Sequence, residues 1–248
     1  MKFIITFFIA LLLTASALYA ENYPSGKAIL DAIDRNMTSE NRIIVSKMVI
    51  HGRRGTRTIR SKTWSEGETE AFTEYLSPAR EKGIKMLKSG DMLWTYSPTT
   101  DRTIRISGHM LRQSVMGSDL SYEDMMEDPE LSRHYKAAVT GTETIDGRPC
   151  WIVELTATTP AIAYQSRKLW TDRERNVPLK QELFAKSGKL LKRLELKDVA
   201  QIEGRWFPKR MIFKDMLKKG KGTEFIIETI QFNQEIPRHI FSKAALRK

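Results

Sequence analysis

The sequence is poor in the features that mark most catalytic and cofactor-binding proteins. Cysteine occurs once, at Cys150, which excludes a disulfide within the chain and leaves a thiolate zinc site without ligands. His51, His109, His134 and His239 stand far apart and form no His-Glu-x-x-His pair, so they read as paired or surface histidines, and no metal is expected. The Gly-x-Ser-x-Gly elbow, the phosphate-binding Gly-Lys-Ser/Thr loop and the Gly-x-Gly-x-x-Gly turn are all missing. Cys150 follows Pro149 in a strand-like run with no histidine beside it, and reads as a small packed apolar residue. No catalytic residue and no cofactor is nominated, and the expectation is a protein that is not an enzyme. Glycine and proline number only 14 and 9 in 248 residues, too few for a collagen-like or low-complexity chain. Beyond residue 13 no apolar run approaches the roughly 20 residues needed to cross a bilayer. The acids Asp119, Glu123, Asp124, Glu127, Asp128 and Glu130 lack the alternating ligands and central glycine of a calcium loop, and read as a solvated helix face.

Basic charge and an export signal are present. Lys2 precedes an apolar run from Phe3 to Leu13, interrupted only by Thr6, and small residues follow from Thr14 to Ala20. That is the order of a secretory signal peptide cut after Ala20, leaving residues 21–248 as one domain. The chain carries +11; the leader contains one Lys and no acid, so removing it leaves 11 − 1 = +10. In the cytoplasm such a charge suggests nucleic acid. On an exported chain it faces anionic lipid headgroups instead, so no nucleic-acid partner and only peripheral membrane contact are expected. No cysteine lies at the cleavage site to accept a lipid anchor.

Periodicity divides the exported part into one helix and many strands. Ala28, Ile29, Ala32, Ile33 and Met37 have helical spacing, with Pro24 and Ser25 at the start. Runs rich in β-branched and aromatic residues then recur at 42–50, 58–64, 71–76, 84–88, 92–96 and 102–106. They resume at 136–145, 150–157, 165–171, 179–185, 189–199, 205–215 and 223–233. Hairpin dipeptides such as Asp146-Gly147, Ser187-Gly188 and Glu203-Gly204 lie between them. About a dozen strands with few helices predict a large curved antiparallel sheet or open barrel. Residues 108–130 interrupt it with short helices, Ser121-Tyr122-Glu123-Asp124 reading as a capped start.

This interruption is rich in methionine. Met110, Met116, Met125 and Met126, with Leu111 and Leu120, follow strands bearing Met92, Trp94, Tyr96, Ile104 and Ile106. Two readings are open. The residues fill the core under the sheet, or they line a cavity (Met92, Trp94, Tyr96, Ile104, Ile106) and its lid (Met110, Leu111, Met116, Leu120, Met125, Met126), since flexible methionine suits a surface that repacks around variable apolar ligands.

The segments Gly90–Pro98, Asp101–His109 and Gln113–Met125 resemble the exported LolA-like proteins of the outer-membrane lipoprotein-sorting family. Pro178–Glu182, Ser187–Lys189, Gly204–Pro208 and Phe241–Leu246 are similar to that family's later strands and tail. The resemblance implies a mainly β, α+β fold: an unclosed antiparallel barrel with an N-terminal helix and short helices plugging its concave face. It implies a periplasmic, unlipidated, monomeric carrier that binds lipid or lipoprotein acyl chains and escorts them toward the outer membrane, with an inner-membrane transporter or outer-membrane receptor as protein partner. The same fold also admits a lipid-sensing or accessory subunit of a transporter or envelope-stress signalling system. Arg102, Arg105 and Arg112 flank the lid and are the candidates for headgroup contact, with their reading as surface charges left open.

Overall fold

The computed structural model describes residues 23–52 and 55–248; the expected signal peptide at 1–20 lies outside the described residues. Helix α1 (Gly26–Met37) is followed by β1 (Asn41–Gly52), β2 (Gly55–Glu66), β3 (Glu70–Ser77), β4 (Lys85–Ser89), β5 (Met92–Ser97) and β6 (Arg102–Ile106). After short helices α2 (Tyr122–Met126) and α3 (Leu131–His134) come β7 (Tyr135–Ile145), β8 (Arg148–Ala157), β9 (Ser166–Asp172), β10 (Pro178–Phe184), β11 (Leu190–Ile202), β12 (Arg205–Asp215) and β13 (Thr223–Phe232). The strands form one antiparallel sheet in the order β6-β5-β4-β3-β2-β1-β13-β12-β11-β10-β9-β8-β7. It is the unclosed, mainly β architecture expected from the repeated hairpins. Among the described residues no helix is long and apolar enough to cross a membrane.

The topology explains why a lid exists. Two meanders, β1–β6 and β7–β13, are zipped together by β1 against β13, with Met48 opposite Phe225. That leaves β6 and β7 as the two outer edges. The chain must therefore travel from one edge to the other between them, and residues 107–134 make this crossing over one face, called inner below.

Strand alternation puts different layers on the two faces. On the inner face, Ile29, Leu30 and Ile33 of α1 pack with Leu131 and Tyr135 against Val153, Leu155 and Leu169 of β8 and β9. Asp34, only 6% exposed, accepts hydrogen bonds from the backbone N–H of Leu131 (3.0 Å) and Ser132 (2.9 Å), so α1 caps α3. On the outer face the C-terminal turns place Leu246 over Phe72, Leu87 and Trp94. Cys150 is fully buried against Trp170 and Leu179. Burial pushes its thiol up to about 11, as fits a packed, unreactive side chain.

Gly26 opens α1 where it meets β7. A Cβ there would stand 2.3 Å from the Ala137 carbonyl oxygen and 2.5 Å from its carbon. Alanine is the better helix former by up to about 1 kcal/mol, but backbone cannot retreat cheaply and overpacking costs about 1–3 kcal/mol. Gly26→Ala is expected to lower stability in urea unfolding. A neutral or stabilising result would show that α1 does not press on β7.

Candidate functional site

The lid, residues 108–130, lies on the inner face of β1–β6. It begins with 3-10 turns at Gly108–Arg112 and Val115–Gly117, and α2 follows. Ser121 and Asp124 form the expected capping box: the Ser121 Oγ accepts from the Asp124 N–H at 3.2 Å and the Asp124 carboxylate from the Ser121 N–H at 2.6 Å. Beneath the lid, Met48, Ile50, Ile59, Tyr75, Met86, Leu93 and Ile106 form a buried cluster, against which Met110, Leu111, Met116, Leu120, Met125 and Met126 pack. Six of the chain's 11 methionines thus meet in one contact layer, which makes it the most readily repacked part of the interior.

A cavity of about 280 Å³ remains between lid and sheet. Ile44, Met48, Tyr75, Leu120, Met125 and Phe225 supply its apolar wall, and Ser61, Thr63, Ser65 and Thr73 line its floor. The floor hydroxyls are partly spent on each other: Thr63 Oγ1 lies 2.9 Å from Thr73 Oγ1, and Ser46 Oγ 3.3 Å from Ser61 Oγ. Such pairing lowers the cost of placing hydroxyls beside an apolar space. One end is more polar. Lys88 Nζ donates to the carbonyls of Glu68 (2.8 Å) and Met126 (3.1 Å), and burial lowers its pKa. Burial raises the Glu68 carboxyl, whose Oε2 has no hydrogen-bond partner. Beyond Lys88 a more polar cleft of about 490 Å³ is lined by Leu111, Met126, Asp128, His134 and Arg167. A third, of about 270 Å³, lies between Arg112, Leu120, Tyr164, Lys192 and Leu217.

Three of the lid acids, Asp119, Asp124 and Glu127, are not the solvated face that their composition suggested but bolts, whereas Asp128 and Glu130 pair locally with Arg133. Lys192 is paired with Asp124, each side chain only 9% exposed, and also donates to the Asp119 carbonyl at 3.2 Å. Tyr164 donates its hydroxyl proton to Asp124 at 2.5 Å. Arg167 of β9 pairs with Glu127, whose carboxyl burial raises against the pull of the guanidinium beside it. Asp119 accepts from Thr223 Oγ1 (2.9 Å) and from the backbone N–H of Asp215 (3.0 Å). Arg57 of β2 donates to the Met116 carbonyl, bracing a residue held at φ 52°, a rare conformation for a bulky side chain. The acids thus join the lid mainly to β9, β11 and β12, and the apolar residues join it to β1–β6.

The sequence-predicted residues separate into two groups. Ile106 and the lid residues Met110, Leu111, Met116, Leu120, Met125 and Met126 come together on the inner face, with Leu120 and Met125 lining the 280 Å³ cavity itself. Trp94 and Tyr96 do not; they pack on the outer face with Phe72, Leu87 and the C-terminal turns, and Met92 shares their face by alternation and is 39% exposed. Register gives the reason. Leu93 pairs with Ile106 and Trp94 with Arg105, so Leu93, unremarked in the sequence, is the β5 residue that faces the lid. Ile104 has the inner parity but lies on the edge strand and is 49% exposed. The three arginines are not convergent: Arg102 and Arg105 sit on opposite faces of β6, and Arg112 is in the third cleft.

The model of a family described as "-like: Uncharacterized protein" matches residues 67–248. No curated protein matches the chain. Among solved structures, a domain from Vibrio parahaemolyticus provisionally named as outer-membrane lipoprotein-sorting is 23% identical, with a TM-score of 0.76 over 90% of this chain and 98% of that one. A DUF1329 family protein from Desulfovibrio piger is 24% identical, with a TM-score of 0.78 over 89% and 97%. A LolA superfamily protein from Nitrosomonas europaea is 24% identical, with a TM-score of 0.74 over 90% and 100%. The chain therefore belongs to the family of uncharacterized proteins whose model spans residues 67–248, and its fold is that of the LolA-like outer-membrane lipoprotein-sorting proteins.

Proposed function

We propose that this protein is a periplasmic, non-enzymatic carrier that shelters an acyl chain of a lipid or lipoprotein between its lid and the inner face of its sheet, on the way to the outer membrane. The observation that carries this reading is the cavity of about 280 Å³ between a methionine-rich lid and the inner face of the sheet. Each methylene exposed to water costs about 0.8 kcal/mol, so a chain of roughly 15 methylenes costs on the order of 12 kcal/mol to move unescorted through an aqueous compartment. The cavity falls just below the roughly 300–1,000 Å³ usual for ligand sites. Accepting a long chain therefore requires the lid methionines to repack, and their flexibility suits them to it.

Native mass spectrometry of the protein recovered from an exporting host is expected to show an adduct of lipid mass. Added lysophospholipid is expected to raise the unfolding free energy, by about 2.7 kcal/mol at a hundredfold excess over its dissociation constant. A bare mass together with no stabilisation by added lipid would overturn the reading.

A further inference from the structure

The turn joining β12 to β13 combines features that the cavity does not explain. Met216 is 36% and Leu217 61% exposed, and they are two of the four large apolar side chains left open among the described residues. A lone exposed leucine is ordinary; these two are neighbours on a braced turn. The Leu217 N–H donates to Asp215 Oδ1 at 2.9 Å, and the Met216 N–H to the Leu191 carbonyl at 2.9 Å. Lys218 Nζ donates to Ser114 Oγ at 2.5 Å and to the Ser118 carbonyl at 2.9 Å. The turn is thereby fastened to the lid. Its positive φ at Gly220 and Gly222, with the Gly222 Cβ position 2.6 Å from the Phe213 carbonyl oxygen, allows the tight return into β13.

Charge completes the pattern. Residues 216–222 contain Lys218, Lys219 and Lys221 and no acid, and Lys219 and Lys221 are exposed. Asp215 nearby is occupied by the Leu217 N–H and Lys218. Arg112, also exposed, lines the same cleft as Leu217; of the three acids lining that cleft, Asp119 and Asp215 already accept hydrogen bonds from the protein, and Glu123 is the third. Apolar side chains projecting among lysines are the composition that seats a surface element in an anionic bilayer interface.

We infer that the β12–β13 turn is a membrane-docking element: Met216 and Leu217 enter the interface of an anionic lipid surface, and Lys219, Lys221 and Arg112 contact its headgroups. The occupant is a bilayer because every charged residue of the turn at 216–222 is a lysine, and the acid that precedes it, Asp215, is paired with Lys218. Leu120 lines both this cleft and the cavity, so docking brings the lid to the membrane surface. The inference rests on the carrier reading for its purpose, but its test needs no cargo.

The test is flotation of the exported protein with vesicles of phosphatidylcholine alone and of phosphatidylcholine mixed with phosphatidylglycerol, at low and high salt. Association is expected only with the mixed vesicles and is expected to weaken with salt. The double substitution Lys219→Gln and Lys221→Gln should weaken it by on the order of tenfold or more, at about fivefold per lysine. Leu217→Asp should weaken it similarly while leaving the unfolding midpoint unchanged. Because Cys150 is buried, Leu217→Cys can be labelled selectively with an environment-sensitive fluorophore, whose emission should shift to the blue on the mixed vesicles. Absence of binding, binding indifferent to Leu217→Asp, or a label that stays in water would each overturn the inference. Lipid adducts in native mass spectra would still stand in those cases.

Discussion

Replacing Asp124 with alanine is expected to destabilise the protein by about 3–5 kcal/mol, because it strands the Lys192 ammonium in a place where water cannot reach it freely. Both side chains are 9% exposed. The carboxylate has further roles, accepting from the Tyr164 hydroxyl at 2.5 Å and from the Ser121 N–H at 2.6 Å, so the loss also removes the carboxylate half of the α2 capping box. Against a typical total of roughly 5–15 kcal/mol, this is a large share. The energy need not appear as global unfolding. Asp124 holds the lid to β11, so hydrogen exchange should accelerate first in residues 108–130 while α1 and β7–β9 keep their protection.

A companion variant separates charge from shape. Asp124→Leu combined with Lys192→Met removes both charges and should recover most of the loss, since an apolar pair avoids the desolvation cost that the ion pair must offset. The cycle is measured by urea unfolding of the single and double variants. A single variant within about 0.5 kcal/mol of the parent, the ordinary range of a surface substitution, would show that the lid is not bolted through this pair.

These bolts also mark where sequence reading stopped. Ser121 and Asp124 were legible as a helix start because the cap is local, spanning three residues. The burial of the same Asp124 was not, because its partner Lys192 lies 68 positions away and Arg167 lies 40 from Glu127. An acidic stretch looks the same whether water or a distant strand satisfies it. The strands were easier. Their alternation and turn dipeptides are local, and each run marked from β1 to β13 corresponds to an observed strand.

What alternation did not give was the common face. Met92, Trp94 and Tyr96 share one side of β5, and Ile104 and Ile106 one side of β6, both by the spacing of two. Whether those sides coincide depends on register: Ser97 faces Arg102, which joins odd positions of β5 to even positions of β6. Hydrophobicity could not decide the matter, since β5 is covered on both faces, by the lid over Leu93 and by the C-terminal turns over Trp94. The lid residues carried no such ambiguity, because the crossing from β6 to β7 passes over a single face.

That difference of faces supplies a test of the carrier reading. Ala71 lines the cavity and pairs across β3 with Ser65 and Lys88 of the neighbouring strands. Ala71→Phe should push a ring into the space without removing any side-chain hydrogen bond, and phenylalanine suits a strand. Closing off room for two or three methylenes forfeits about 0.8 kcal/mol each, which lowers acyl-chain affinity by roughly one to two orders of magnitude. Bound lipid in native mass spectra should fall accordingly, while the unfolding midpoint stays level or rises as the empty volume is filled. Met92→Ala is the opposing arm. It truncates a side chain that is 39% exposed on the outer face, so lipid occupancy should remain at the parental level. If Ala71→Phe kept its full lipid complement and Met92→Ala lost it, the cargo would lie on the outer face, and the space beneath the lid would be only a packing defect.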